Sequence, residues 1–250
     1  IITFMLIVTG SLAFDYIMDF PGAFSEHILP DQIHNINLSF IVNKFDKRRG
    51  GTAGNASYSL GLLDTSHILF SAAGKDFEDY QKYFESMGIN VNVKVYEDTY
   101  TSTGFAMTDK ANNQIWGFFY GAGEFNDKLD LKKVAKKNDI VLIGPQGAKG
   151  SMSFVDQCIE LGIPYMFDPG FILTQVSDAD LTRGVKHATY LIGNDYEINL
   201  IKTRVKNFEK ITKAKVVITT LGAEGALIQT KGETIEIKTA KPKVVVDPTG

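Results

Sequence analysis

The stretch Arg48-Arg49-Gly50-Gly51-Thr52-Ala53-Gly54-Asn55-Ala56 decides how the rest of the chain is read. Three of its first seven residues are glycines, and an amide side chain follows at Asn55. Then Ser57-Tyr58-Ser59-Leu60-Gly61-Leu62-Leu63 reads as a short apolar helix. Glycines just before a helix remove Cβ atoms where a ligand or another backbone comes close, and they free φ for a tight entry. The helix start offers N–H groups without partners in the helix. A strand-to-helix turn that binds nothing has the same composition, so the other strand ends must decide between the two.

Outward from that stretch, the chain has 250 residues, 44% hydrophobic residues and a formal net charge of −3. Its length allows one large domain or one domain with an appendage. The slightly acidic balance speaks against a nucleic-acid partner. No run of 18 apolar residues suggests a membrane span. Ile1–Val8 is apolar without a basic flank or a small-residue cleavage site, and reads as a buried first strand. With one cysteine, Cys158, no disulfide forms within the chain, and a reducing, cytoplasmic compartment is expected.

Met5–Val8 reads as a central strand that opens at Thr9-Gly10-Ser11, with Asp15 just beyond, either a turn cap or an acceptor for substrate hydroxyls. Tyr16–Phe20 and Asn37–Phe45 alternate like half-buried strands. Thr101–Thr108 and Gln114–Tyr120 read as a hairpin closed by Asp109–Asn113. Together these predict a small sheet growing out of the main fold. Between them lie a strand, Ile68–Gly74, and a helix, Asp76–Met87, ended by Gly88. From Asn138 onward strands and helices alternate: Asp139–Ile143, Ser151–Leu161, Tyr165–Phe167, Ala179–His187, Tyr190–Ile192, Asp195–Val205, Phe208–Thr212 and Lys215–Thr219. Ala226–Thr230, Thr234–Thr239 and Val244–Val246 predict a terminal antiparallel meander.

Polar or glycine-rich turns recur at strand ends: Asp168-Pro169-Gly170, Asn194-x-x-Glu197, Thr220-x-Gly222-x-x-Gly225 and Asp247-Pro248-Thr249-Gly250. Singly each has a structural explanation, Asn194 and Glu197 as a capping box for example. Jointly they predict one cleft along the strand ends.

This order of motifs, with Gly10-Ser11…Asp15 and Gly50-Gly51-x-x-x-Asn55, resembles the PfkB (ribokinase-like) family of carbohydrate and nucleoside kinases over essentially the whole chain. Phe20-Pro21-Gly22, Asn37-Leu38-Ser39-Phe40 and Arg49–Asn55 are most similar to its bacterial adenosine-kinase branch. The resemblance implies an α/β fold: a ribokinase-like three-layer βαβ core with a central, mostly parallel sheet and a small β-sheet lid. Residues 1–250 would form one domain, with the lid inserted from about 16–47 and 99–121. It implies ATP-dependent phosphorylation of the 5′-hydroxyl of a nucleoside, adenosine to AMP, with Mg²⁺; a K⁺ requirement and a homodimer through the lid stay open.

Ser11, Asp15, Gly51 and Asn55 would hold the sugar, Ser39 would reach in from the lid, and Phe105 and Phe118 would stack on the base. Asn194 and Glu197 would organise Mg²⁺ and phosphate, Thr220, Gly222 and Gly225 would border ATP, and Gly250 would begin an anion hole. The catalytic Asp is expected beyond Gly250. The chemistry suits these residue types. Vicinal hydroxyls need a carboxylate and an amide, a purine needs flat apolar faces, and phosphoryl transfer needs positioning and charge neutralisation. Phe171 and Ile172 stand where adenosine kinases carry polar residues, which leaves the base open. A ribose or fructose kinase and a non-catalytic nucleoside-binding protein are the alternatives. A nicotinamide-dependent dehydrogenase is disfavoured, because no Gly-x-Gly-x-x-Gly follows the first strand.

Overall fold

The computed structural model describes residues 4–28, 37–213 and 215–243. The strands are β1 Leu6–Thr9, β2 Ala13–Asp19, β3 Lys44–Gly50, β4 His67–Gly74, β5 Asn90–Tyr96, β6 Ser102–Thr108, β7 Gln114–Phe119, β8 Ile140–Ile143, β9 Tyr165–Phe167, β10 Tyr190–Asn194, β11 Val216–Thr220, β12 Ala226–Thr230 and β13 Glu233–Ile237. The helices are α1 Thr52–Leu62, α2 Glu78–Ser86, α3 Ala148–Leu161, α4 Asp178–His187, α5 Asp195–Arg204 and α6 Phe208–Thr212. The expected strand at Val244–Val246 lies outside the described residues.

The larger sheet runs β13-β12-β11-β10-β9-β8-β1-β4-β5. It is parallel from β5 to β11, and β12 and β13 return antiparallel. Alternation along the buried strands sends successive side chains to opposite faces, so each face acquires its own core. Ile7 joins Val141, Ile143, Phe154, Phe167 and Leu191 under α3 to α6. Val8, the next residue, joins Leu12, Leu69, Phe77, Tyr80 and Phe84 under α1 and α2. Helices on both faces of a mostly parallel sheet make three layers.

The smaller sheet runs β3-β2-β6-β7 and contains both strand-rich stretches of the sequence. β2 pairs antiparallel to β3 and parallel to β6. Its distal end is held by Asp109, whose carboxylate accepts from the backbone N–H groups of Phe24, Ala111 and Asn113 and from the Asn113 amide. Burial opposes its charge, but these bonds prevail and hold its pKa at about 2.

Three local expectations are corrected. Asn37–Asn43 form no strand; Phe40 joins an aromatic cluster instead, packed edge-on against Phe20 and Phe24 at 4.8 and 5.4 Å, while Leu38 and Ile41 stay exposed. Arg48–Gly50 finish β3, so α1 begins at Thr52, five residues before the apolar run that announced it. Asp15 caps no turn; it sits inside β2.

Candidate active site

β4 and β5 build out from one side of β1, and β8 to β11 from the other. The crevice beyond the C-terminal ends of β1 and β8 is therefore the point where the winding reverses, the usual ligand position in open α/β sheets. Here the sequence ties three segments together. The Ser11 N–H donates to the Pro145 carbonyl and to Thr52 Oγ1, both at 3.1 Å. Thr52 Oγ1 donates to Pro145 O at 2.7 Å, and the Thr52 N–H donates to Ser11 Oγ at 3.0 Å. The Ser11 hydroxyl thus serves the start of α1. Gly51 makes this approach possible: its φ is 89°, and a Cβ there would stand 2.5 Å from the Ser11 carbonyl oxygen. L-residues with side chains avoid that φ and have no room at that distance.

Asp15 lies between two glycines of its neighbouring strands. A Cβ at Gly50 would come within 2.4 Å of one carboxylate oxygen, and one at Gly104 within 2.7 Å of the other. No described residue donates a hydrogen bond to this half-buried carboxylate. Burial raises its pKa. With no donor among the described residues and partly withdrawn from water, this carboxylate has acceptor capacity that the described residues do not use.

The aromatic residues of the hairpin divide by face. Phe105 pairs with Tyr16 and Gly117, whereas Phe118 pairs with Gly104, the partner of Asp15. Opposed residues share a face and successive residues alternate. Phe118 and Trp116 therefore stand on the Asp15 face, and Phe105 on the other, stacked on Tyr16 at 5.3 Å. The expectation that Phe105 and Phe118 clamp one base from two sides is corrected: the pleat separates them. Trp116, which the sequence reading left unassigned, lies beside Asp15, its ring 3.2 Å from the Cβ position of Gly104. Counting parity along the hairpin would have found it.

Ser39 is not brought beside Asp15. It is exposed in the segment before β3, beyond Asp19, which is about 13 Å along β2 from Asp15 at ~3.3 Å per residue. Asn55 is exposed on the first turn of α1 and lines a cavity with Arg48, Arg49 and Tyr58. A cavity of about 490 Å³ opens between the end of β7 and the N-terminus of α3, lined by Tyr120, Glu124, Phe125, Gln146, Gly147 and Gln175 among others. Gln146, 4% exposed, turns Nε2 toward Thr9 Oγ1 at 3.4 Å and leaves Oε1 unpartnered among the described residues. Gln175 Oε1 accepts from the Ala148 N–H, and its Nε2 donates to the Tyr120 hydroxyl. The sequence reading assigned no role to Gln146, although Gln146-Gly147 links a strand to a helix as Gly50-Gly51 does.

The second group collects at the ends of β10 and β11. Asn194 and Thr220 are register partners. Asn194 Oδ1 accepts from the Glu197 N–H at 2.8 Å, and Glu197 Oε2 accepts from the Asn194 N–H at 2.7 Å, a complete capping box on α5. Gly222 and Gly225 shape the β11–β12 loop; a Cβ at Gly225, where φ is 104°, would meet the Ile237 carbonyl oxygen at 1.9 Å. Asp168, at the end of β9, has its pKa raised to about 7 by burial and then by the nearby Glu197 carboxylate, against a hydrogen bond from the Gly170 backbone. From β1 to β10 is three strand spacings in the sheet order, about 14 Å at ~4.8 Å each. Gly250 lies outside the described residues. Among the described residues no three or more His, Cys, Asp or Glu cluster to hold a metal, and no helix is long and apolar enough to cross a membrane.

Comparison with known proteins agrees with this fold. Residues 11–250 match the family described as pfkB family carbohydrate kinase. The nucleoside kinase of Methanothermobacter thermautotrophicus is 32% identical over 98% of this chain and 78% of its own length. The ligand-free nucleoside kinase of Burkholderia thailandensis superposes with a TM-score of 0.84 at 35% identity, over 98% of this chain and 82% of that one. The same enzyme described in complex with ADP-inosine gives a TM-score of 0.77 at 36% identity, over 98% and 78%. With a three-layer sheet, a smaller sheet beside it and polar strand ends along one edge, the chain belongs to the pfkB family of carbohydrate kinases.

Proposed function

We propose that this kinase transfers the γ-phosphoryl group of ATP to the 5′-hydroxyl of a purine nucleoside, adenosine or inosine. The observation that carries the reading is Asp15: a carboxylate with no donor among the described residues, seated between Gly50 and Gly104, with Trp116 and Phe118 on its own face. A ribose needs the acceptor and a purine needs the rings. Relatives named nucleoside kinases, and a structural neighbour described with ADP-inosine, support the same reading.

In this proposal residues 1–250 work as one domain, and the small sheet is a lid over the crevice, with Gly50-Gly51 as its hinge. Closure excludes water that would otherwise compete for the phosphoryl group. Ser11, Gly51 and Asn55 complete the sugar side. Thr220, Gly222 and Gly225 border ATP some three to four strands away. Burial, and after it the nearby Glu197 carboxylate, raises the Asp168 pKa to about 7; a Mg²⁺ held nearby through water would relieve the repulsion between the two carboxylates, with Asn194 fixing Glu197. Mg²⁺ would neutralise charge on the transferring phosphates. A second copy of the chain would cover the outer face of the small sheet, where Phe45, Phe105, Ile115 and Phe119 are exposed; sedimentation of wild type and Phe105→Asp tests that.

The chain has one tryptophan, so its fluorescence reports on the pocket directly. Inosine or adenosine should quench Trp116 and be phosphorylated when ATP and Mg²⁺ are added, in K⁺ and in Na⁺ buffers. Equal turnover of free ribose or fructose would replace the nucleoside reading with a sugar kinase. Binding without turnover would make the protein a nucleoside-binding relative.

A further inference from the structure

A second cavity, of about 370 Å³, lies where β3 meets α1 and α2. Alternation along β3 places Lys47 and Arg49 with Tyr16 and Phe14, on the face opposite Asp15. The Lys47 ammonium stands 4.0 Å from the Phe14 ring centroid, and the Arg49 guanidinium 4.3 Å from that of Tyr83. A ring face holds a cation by its quadrupole and leaves the N–H donors free. Among the described residues neither Lys47 nor Arg49 has a carboxylate within ion-pair distance, although Lys44 and Arg48 on the same strand both do. Among the described residues no acidic side chain lines the cavity.

The wall beside Arg49 is aromatic. Tyr58 of α1 stacks on Tyr83 of α2, with centroids 6.4 Å apart. Tyr80 closes the floor, packed so tightly against Gly54 that a Cβ there would meet its hydroxyl at 2.1 Å, and that hydroxyl donates to the Gly50 carbonyl. Two cations without counter-charge facing stacked phenol rings suit a phosphate joined to a flat ring. The volume is near the lower end of small-ligand pockets, enough for a mononucleotide.

We propose that this cavity is a regulatory site for a nucleotide, its phosphate on Lys47 and Arg49 and its base against Tyr58. It borders the acceptor position proposed above, sharing Asn55 with it, but its phosphate contacts Lys47 and Arg49 lie on the face of β3 opposite Asp15. A nucleotide there spans β3 and α2. β3 runs straight into Gly50-Gly51 and α1, so occupancy shifts the balance between positions of the small sheet to the extent that one position binds the nucleotide better. Asn55 also lines the cavity, so competition with the nucleoside is the discriminating measurement.

The test is calorimetric titration of the full chain with inosine 5′-monophosphate, and separately with inorganic phosphate. Both are run with and without saturating 5′-deoxyadenosine and a non-hydrolysable ATP analogue. Inosine 5′-monophosphate should still bind when both substrate positions are filled. Lys47→Ala and Arg49→Ala should each weaken it about tenfold or more, as loss of a charged hydrogen bond does, with the KM for nucleoside within about twofold of wild type. Tyr58→Ala should weaken the nucleotide and leave phosphate unchanged. Displacement by 5′-deoxyadenosine or by the ATP analogue overturns the proposal, because the nucleotide then sits in a substrate position. Unchanged affinity in the Lys47→Ala/Arg49→Ala double variant, or no binding to the folded wild type, overturns it as well. If 5′-deoxyadenosine and the ATP analogue themselves fail to bind, the kinase reading falls while the variants still report on this cavity.

Discussion

Phe118→Ala and Trp116→Ala should weaken purine nucleoside binding, and Phe105→Ala should not. Phe118 is 51% and Trp116 54% exposed on the face that carries Asp15, so each has a free ring surface for a base. Stacking of a base on an aromatic side chain is worth about 1–3 kcal/mol, and ~1.4 kcal/mol is tenfold in affinity. Each truncation should therefore cost roughly five- to a hundredfold in Kd. Trp116→Ala should take little fold stability with it, since a half-exposed side chain contributes little to a core, whereas Phe118→Ala also gives up an edge contact with Tyr120 at 5.0 Å, worth about 0.5–1.5 kcal/mol. Phe105 is 46% exposed on the opposite face and spends its ring on Tyr16. Its truncation should cost about 0.5–1.5 kcal/mol of stability, the worth of an aromatic pair, with Kd unchanged. Inosine titration followed by tryptophan fluorescence covers wild type, Phe118→Ala and Phe105→Ala; calorimetry covers Trp116→Ala. Tenfold weaker binding in Phe105→Ala, with Phe118→Ala and Trp116→Ala unaffected, would refute the assignment of faces.

Asp15→Asn should lower kcat/KM by about ten- to a hundredfold, from ~1.5–3 kcal/mol for a charged hydrogen bond. Burial raises the Asp15 pKa in the fold, so its ionised form favours the unfolded chain as pH rises; the variant should melt higher than wild type at pH 8. Asp168 follows the same sign: its contribution is full below the ordinary carboxylate value of 3.8, fades as pH rises, and is gone above about 7. Asp168→Asn should therefore flatten the fall in melting temperature between pH 4 and 8, read by calorimetry. Gly51→Val should abolish activity and cost several kcal/mol, at least the ~1–3 kcal/mol of a non-glycine residue held at positive φ, with Gly117→Ala, where a Cβ meets nothing within 4 Å, as a control whose denaturant midpoint stays near wild type.

Much of this protein is legible along the chain itself. The βα alternation after Asn138, the strand ends with their polar turns, and the glycine-rich entry to α1 depend on hydrophobic period and on local backbone chemistry, which neighbouring residues express without help. The capping box at Asn194 and Glu197 is a four-residue event and was open to reading for the same reason. Tertiary structure decided the rest. By itself Asp15 reads as a turn cap as readily as an acceptor, because the glycines that make room for its carboxylate, Gly50 and Gly104, lie 35 and 89 positions away. Asn37–Phe45 alternates like a strand, yet its Phe40 went to Phe20 and Phe24, because three rings bury more surface together than one ring on a sheet edge. Which aromatic residue shares a face with the carboxylate depends on register between β2, β6 and β7, and a shift of one residue would exchange Phe105 for Phe118. Register is set by pairing across the sheet, a long-range contact that no local pattern of side chains encodes.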